Sequence, residues 1–459
     1  MSTILVPASN FTVLTSTLGN SVSFSKQSSD EGTIWEGFEI NDSGVEILRF
    51  LQENNDPRTF AEDFRAKYGL EEEANSWIMG FISDLLQRGA LELCDEKTTD
   101  VREDISFHRT ITINETKNAT TPQSSIIEIT NTCNEACEHC YLSSGPKRTD
   151  RIDFDSFTAL CDEMAAAHVY RVQLTGGEVF MHPRATDMIA YALDRFPEVA
   201  LFTNATILSE KVLDLLRKNK ERLVISVSLD SVDPEIHDRL RNHRNAHKKT
   251  SRNIRRMTDA GLFVRITSVL FDENMWELAE LAQQASDLGA RLFVFNFVEG
   301  FGRGKEMAAE QTEGVSKEYN DYVKKVVDEY RDVIPVIQEE VRDEAASRDN
   351  CGAGSNSVVI SASGDIRPCN LFPEEVSFGN VLHQDWEEIF SSPLLRKIHD
   401  LPSPGVENGC SPKCPNRIYC QGCILHGITQ NAWENHPHYC SWVKTNNAES
   451  IVEMFVGKQ

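Results

Sequence analysis

The chain has 459 residues, 40% of them apolar, and a formal net charge of −25. That length and apolar content allow two or three cored domains, and the acidic balance argues against nucleic acid, whose phosphates it would repel. No apolar run is long enough to span a membrane, and the opening MSTILVPASNFTVL lacks the basic region of an export signal, so a cytoplasmic location is expected.

Residues 1–27 alternate weakly and read as strands or a lead-in. GTIWEGFEI is then expected as a strand, and Asn41-Asp42-Ser43 caps a helix whose Val45, Ile47, Leu48 and Leu51 recur at helical spacing. A second helix is expected from Thr59 to Tyr68, ending at Gly69. A third, NSWIMGFISDLLQRG, carries Trp77, Ile78, Phe81, Ile82 and Leu85 on one side, and the short strand ALEL follows. Strands, three helices and a closing strand make a winged-helix plan. Over residues 30–100 acidic residues far outnumber basic ones, which speaks against DNA as its ligand. Residues 101–122 are polar and read as a linker.

From residue 123 strands and helices alternate regularly. SSIIEIT, YRVQLT, VALFT, RLVISVSLD, FVRITSVL and RLFVFNFV are strands, each followed by a helical or polar segment. Six β/α units in series imply a parallel sheet with helices outside, and a partial barrel is the natural solution. The polar motifs all fall at strand C-terminal ends, where such barrels carry their chemistry.

Ten of the twelve cysteines fall into two groups. Cys133-x3-Cys137-x2-Cys140, followed by Tyr141, is one. Cys351, Cys369, Cys410, Cys414, Cys420, Cys423 and Cys440 form the other. In a reducing compartment clustered thiolates bind metal more often than they pair as disulfides, and iron–sulfur clusters favour thiolate ligands. A three-cysteine loop ligates three irons of a [4Fe–4S] cube and leaves the fourth open. A zinc site is a poorer reading, because no fourth ligand lies at a typical spacing, although His139 is adjacent. Cys161 falls inside a helix and reads as a buried core residue; Cys94 is the other spare thiol. His426, His436 and His438 near the last cysteines read as outer-sphere or surface residues.

The first cysteine loop, after a strand and before an aromatic residue, resembles the signature of the radical S-adenosylmethionine (SAM) superfamily. The resemblance implies that the open iron holds the amino and carboxylate groups of SAM, and that reduction releases a 5′-deoxyadenosyl radical. It further implies that Gly176-Gly177-Glu178 receives the SAM ammonium and that Tyr141, Asn204, Ser228 and Asp230 lie among the cofactor contacts. Arg239 or Arg241 is a candidate for the SAM carboxylate, unless both belong to the basic surface segment that runs to Lys249. The C-terminal array is similar to the SPASM auxiliary-cluster domain. That likeness assigns Cys351, Cys369 and Cys423 to a first auxiliary cluster with room for an open iron or a ligand from elsewhere. It assigns Cys410, Cys414, Cys420 and Cys440 to a second. The spacings between Cys410 and Cys423 are swapped relative to the family pattern.

Taken with TGGEVFMHP, SLDSVDPEIHD, GFGRGKE and CGAGSNSVVISASGDIRPCNLFP, the chain resembles the thioether-forming maturases of ribosomally made peptides, of sactipeptide or ranthipeptide type. The implied architecture is α/β. A winged-helix-like peptide-recognition domain (1–100) and a linker (101–122) precede a partial (β/α)6 radical SAM barrel (123–335) and a SPASM iron–sulfur domain (336–459). The implied cofactors are SAM and three [4Fe–4S] clusters. The implied partners are a precursor peptide bound through its leader and a flavodoxin or ferredoxin as reductant. The same scaffold could instead epimerise a peptide or form carbon–carbon crosslinks.

Overall fold

A computed structural model describes residues 3–16, 19–28, 32–95, 111–115, 122, 124–167, 169–310, 317–338, 350–354, 357–373, 376–414, 420, 422–432 and 439–456. It divides into two units, Met1–Thr121 and Pro122–Gln459.

In the first unit β1 (Thr3–Pro7), β2 (Ser9–Ser16), β3 (Gly19–Ser28) and β4 (Gly32–Ile40) precede three helices. Helix α1 (Asp42–Leu51) starts where the Asn41 side chain accepts the Gly44 N–H at 2.8 Å, satisfying a first-turn donor. Helix α2 (Phe60–Tyr68) stops at Gly69, which takes the left-handed conformation at φ 66°. Helix α3 (Ala74–Gln87) leads to β5 (Leu91–Asp95). Ile47, Leu48, Phe60, Ile78, Ile82 and Leu85 of the helices are buried in one core with Phe11, Val13, Val22 and Phe24 of the strands. Trp77, expected on the buried side of α3, is 44% exposed, because it lies at the edge of the apolar stripe. The closing strand β5 pairs antiparallel with β1. The segment read as linker contributes β6 (Thr112–Glu115), which runs parallel to β2 and gives the sheet order β4-β3-β2-β6.

The second unit is an α/β sheet. Strands β7 (Ser124–Thr130), β8 (Arg171–Gly176), β9 (Glu198–Thr203), β10 (Leu223–Ser228), β11 (Phe263–Leu270) and β12 (Leu292–Phe297) lie side by side in sequence order, every pair parallel. The helices between them are α4 (Phe154–Ala166), α5 (Ala185–Arg195), α6 (Glu210–Lys218), α7 (Pro234–Leu240), α8 (Ala246–Asp259) and α9 (Leu278–Asp287). Alternate strand residues such as Val172, Leu174, Val199, Leu201, Ile225, Val227, Val264 and Ile266 are fully buried. The residues between them, Thr175, Phe202, Ser228, Arg265 and Thr267, are half-buried on the other face, as period-two alternation requires.

After α10 (Lys305–Glu310) and α11 (Lys317–Tyr330), β13 (Val336–Gln338) extends the sheet beside β12. At the opposite end β14 (Ser357–Ile360) runs parallel to β7, and β15 (Ile366–Arg367) returns antiparallel to β14. The cysteine-rich C-terminal region is therefore built directly onto the first barrel strand. Short helices α12 (Trp386–Phe390), α13 (Pro393–Asp400), α14 (Ile424–Ala432), α15 (Ser441–Thr445) and α16 (Glu449–Glu453) complete it. Among the described residues no helix is long and apolar enough to cross a membrane.

Candidate active site

The loop that follows β7 carries Cys133, Cys137 and Cys140, the first two buried and the third half-buried. Backbone bonds fold it on itself: Asn131 N–H donates to Asp150 at 2.8 Å, and Cys133 N–H donates to Gly145 at 3.2 Å. Two later strand ends and one helix end then clamp it. Gly177 and Glu178, after β8, donate their N–H groups to Thr130 and Thr132 at 2.6 and 3.0 Å. Leu240 and Arg241, at the end of α7, accept from Glu138 and Ala136 at 2.9 and 3.2 Å. Arg303, after β12, donates through its backbone to Cys140 at 3.0 Å and through Nε to the Cys137 carbonyl at 2.7 Å.

Three glycines make these approaches possible. Gly176, at φ 138°, is one, and an added Cβ there would press on the Thr130 carbonyl. A Cβ on Gly177 would stand 2.5 Å from the Thr132 carbonyl oxygen, and one on Gly302 would press on that of Tyr141. Gly302 also has φ 55°, which side-chain-bearing residues rarely adopt.

The sulfurs face N–H donors. Glu135 N–H lies 3.4 Å from Cys133 Sγ, Asn204 Nδ2 lies 3.9 Å from the same sulfur, and Arg241 Nη1 lies 3.8 Å from Cys137 Sγ. Burial pushes the Cys133 thiol up to about 12 and raises Cys137 well above its ordinary value. Such thiols stay protonated unless a metal displaces the proton. Donors aimed at sulfur then suit an anionic thiolate cluster, so this donor set fits an iron–sulfur group. Among the described residues no three Cys, His, Asp or Glu side chains converge as they would on one ion. A cluster does not need that convergence, since each thiolate reaches its own iron.

Behind the loop lies a buried charge network. Arg241 Nη2 is 2.7 Å from Asp230 Oδ2, Arg241 Nη1 is 3.7 Å from Glu135, and His139 Nε2 is 3.5 Å from Asp230. Burial works against the Asp230 carboxylate, but Arg241, His139 and His237 more than offset it and leave its pKa lowered. Burial likewise raises the Glu135 carboxyl to about 7 and lowers His139 to about 4.

The sequence-predicted residues divide accordingly. Glu178 is fully buried, and its carboxylate accepts from Thr203 Oγ1 at 2.7 Å, Asn204 N–H at 2.7 Å and Phe180 N–H at 3.1 Å. It therefore ties the end of β9 to the end of β8. Asn204 accepts Thr206 N–H at 3.0 Å and donates to Asn134 at 3.1 Å, bracing the loop. Ser228, at the end of β10, is half-buried, and Tyr141 is half-buried after Cys140. Arg239 is exposed and paired with Glu138 and Glu273, so of the two candidate arginines it is Arg241 whose guanidinium lies near a cysteine sulfur. Sequence reasoning gave Arg303 and Gly302 no role. The signal was present, because Gly302-Arg303-Gly304 follows the last barrel strand, the position every other motif occupies.

Residues 127–285 match the radical SAM superfamily, and residues 351–423 match the SPASM iron–sulfur cluster-binding domain. The antilisterial bacteriocin subtilosin biosynthesis protein AlbA of Bacillus subtilis is 33% identical over 423 residues, covering 92% of this chain and 91% of its own. The chain belongs to the radical SAM/SPASM family of peptide maturases. The sporulation killing factor maturation protein SkfB of Bacillus subtilis is 25% identical over 281 residues, 60% of the maturase and 67% of SkfB. In fold the maturase matches Streptococcus suis SuiB bound to S-adenosylmethionine, with a TM-score of 0.63 at 14% identity over 95% of this chain and 98% of that one.

The maturase's C-terminal cysteines sort into two neighbourhoods. Cys369 follows β15, and burial, then Cys423 and Cys351, push its thiol up to about 12. Burial also raises Cys410, with Cys440 and Cys414 adding to it. Cys420 reaches about 12 through burial and the same set, Cys414, Cys410 and Cys440, although His426 opposes the shift. These electrostatic neighbours group Cys369 with Cys351 and Cys423, and Cys420 with Cys410, Cys414 and Cys440. Asn431 clamps Cys440, donating to its sulfur at 3.2 Å and accepting its N–H at 2.8 Å. His426 bonds Cys423 and places Nε2 3.3 Å from Glu299, the outer-sphere arrangement that orients metal-site groups. His436 and His438 lie outside the described residues. Cys161 is fully buried in the core face of α4, and Cys94 lies half-buried on β5.

Proposed function

We propose that the maturase forms thioether crosslinks within a ribosomally made precursor peptide, joining a cysteine sulfur to Cα, or to Cβ or Cγ, of an acceptor residue. The observation that carries this reading is the coexistence of one clamped three-cysteine loop at the barrel's strand ends with two further thiol neighbourhoods. Cys133, Cys137 and Cys140 would hold the SAM-binding [4Fe–4S] cluster, and the other seven cysteines would hold two auxiliary clusters. SAM itself would lie against Gly176-Gly177-Glu178, Ser228 and Tyr141.

When bound, this cluster supplies one electron to the SAM sulfonium, and the resulting 5′-deoxyadenosyl radical takes a hydrogen atom from the peptide. Forming the C–S bond would release a thiol proton and one further electron from the substrate, and a cluster held by the C-terminal cysteines would supply an acceptor for that electron. Arg241 and the Glu135 N–H hold the SAM-cluster thiolates in position. Glu178 fixes the β8 and β9 ends against each other, so the cofactor platform is preorganised.

A peptide substrate is supported by AlbA and SkfB, named for making a bacteriocin and a killing factor. It is supported also by SuiB, solved with its precursor peptide SuiA. The first unit would bind the leader as an added strand beside β4, which ends its sheet. A flavodoxin or ferredoxin would supply the first electron. Epimerisation needs a hydrogen donor to the peptide radical, and the full burial of Cys161 counts against that thiol in the role. The test is an anaerobic assay of the reconstituted enzyme with SAM, a reductant and the cysteine-bearing peptide encoded beside it. Formation of 5′-deoxyadenosine together with loss of alkylatable thiol supports the proposal. Deoxyadenosine with all thiols retained argues for epimerisation or carbon–carbon crosslinking.

A further inference from the structure

We propose that the buried ion pair Glu128–Arg367 is a positioning device that fixes the first auxiliary-cluster loop against the strand delivering the SAM-cluster loop. In this role it couples SAM cleavage to removal of the substrate electron. The inference rests on the reading of Cys369 as a ligand of the first auxiliary cluster.

Glu128 belongs to β7, the strand that ends at Thr130 and opens into the Cys133 loop. Its backbone is in register with Thr175 of β8, within the sheet that carries the site. Arg367 belongs to β15, held to β7 through β14. Glu128 is completely buried and Arg367 is 1% exposed. Arg367 Nη2 bonds Glu128 Oε1, and Nη1 donates to the Phe372 carbonyl at 2.8 Å. Cys369 lies between Arg367 and Phe372 in the chain, and its carbonyl accepts the Phe372 N–H at 3.2 Å. A single guanidinium therefore spans the turn that carries Cys369 and grips the strand that leads to Cys133.

Stability alone does not account for the pair. A buried ion pair is commonly matched or exceeded by well-packed apolar residues of similar volume, because desolvation offsets the Coulombic gain. What apolar packing does not supply is direction. The planar fork of an arginine fixes the angle and distance of two acceptors together. At this place the fork relates two loops that would each hold a cluster, and so relates the place where the peptide radical would form to the cluster that would take its electron.

The experiment uses the full chain with all clusters reconstituted, comparing the wild type with the double variant Glu128→Leu/Arg367→Met. The apolar pair is chosen so that no uncompensated charge is left buried. The expected result is wild-type iron content and wild-type 5′-deoxyadenosine production. Crosslinks per deoxyadenosine should fall about tenfold, with altered spin relaxation between the SAM-binding and auxiliary clusters in electron paramagnetic resonance. An unchanged ratio with unchanged relaxation would overturn the proposal. Should the double variant fail to fold or load iron, Arg367→Lys decides. It keeps the charge but cannot reach both acceptors in fork geometry, so the same uncoupling is expected, and its absence overturns the proposal. If the wild type forms no thioether, the proposed function fails, and the relaxation measurement still decides the role of the pair.

Discussion

Arg241 Nη2 sits 2.7 Å from Asp230 Oδ2, both groups almost wholly buried, and the same guanidinium reaches Cys137 Sγ at 3.8 Å. The contact joins the end of the β10 segment to the cysteine loop through α7. Replacing Arg241 by Met would strand the Asp230 and Glu135 carboxyl groups in a buried site. We expect a loss of about 3–5 kcal/mol and poor iron loading. Arg239→Ala removes exposed ion pairs and should cost under about 1 kcal/mol, with SAM cleavage unchanged. Denaturant unfolding and iron analysis of the two variants check the contrast.

Glycine substitutions probe the clamp on the loop. Gly177→Ala drives a methyl group onto the Thr132 carbonyl, and Gly302→Ala does so onto the Tyr141 and Cys140 carbonyls. Backbone cannot yield as a side chain end does, so each should cost upward of about 1–3 kcal/mol and abolish SAM cleavage. Gly80→Ala, in the open on α3 with nothing within 4 Å of the new methyl, should stabilise by about 0.5–1 kcal/mol. Thermal unfolding reads all three.

Much of this was legible in the sequence. The Asn41 cap, the Gly69 stop and the six barrel strands follow from local chemistry and period-two burial, and the structure has each of them. The polar motifs were visible because they fall at strand ends. What was not legible depends on long-range pairing. The segment around Thr112–Glu115 is polar like a linker, yet it pairs with β2. Arg239 and Arg241 lie in the same helical turn region with similar neighbours in sequence. Their opposite fates follow from which way the end of α7 faces, which only the packed fold determines. Glu128 and Arg367 are far apart in the chain, and no local pattern marks them as partners.

The two thiol neighbourhoods predict separable clusters. Cys369→Ala should remove about four irons per chain and one auxiliary signal, leaving the other auxiliary signal intact. Cys410→Ala should remove the complementary signal. Iron content and electron paramagnetic resonance of the reduced protein check this, and a variant that erases both signals would contradict two independent sets.

His237 supplies a pH dependence. Its Nδ1 accepts the Asp230 N–H at 3.2 Å, and burial, reinforced by Arg241, lowers its pKa to about 3. The unfolded imidazole, with a pKa near its ordinary value of about 6.5, binds a proton that the folded one refuses. Stability from this group is thus fully present above about pH 6.5 and is lost as pH falls towards about 3, with a slope of up to about 1.4 kcal/mol per pH unit. His237→Gln should flatten the acid limb of the urea midpoint between those limits, and an unchanged limb would assign it to other groups.

The most direct test of the central claim is the mass of the precursor peptide after anaerobic co-expression with this enzyme, read with and without a thiol-alkylating reagent. The account predicts that each modified site loses two hydrogens and that its cysteine no longer takes the reagent. Fragmentation would then locate the sulfur on Cα, Cβ or Cγ. A peptide of unchanged mass whose cysteines all react would contradict thioether formation.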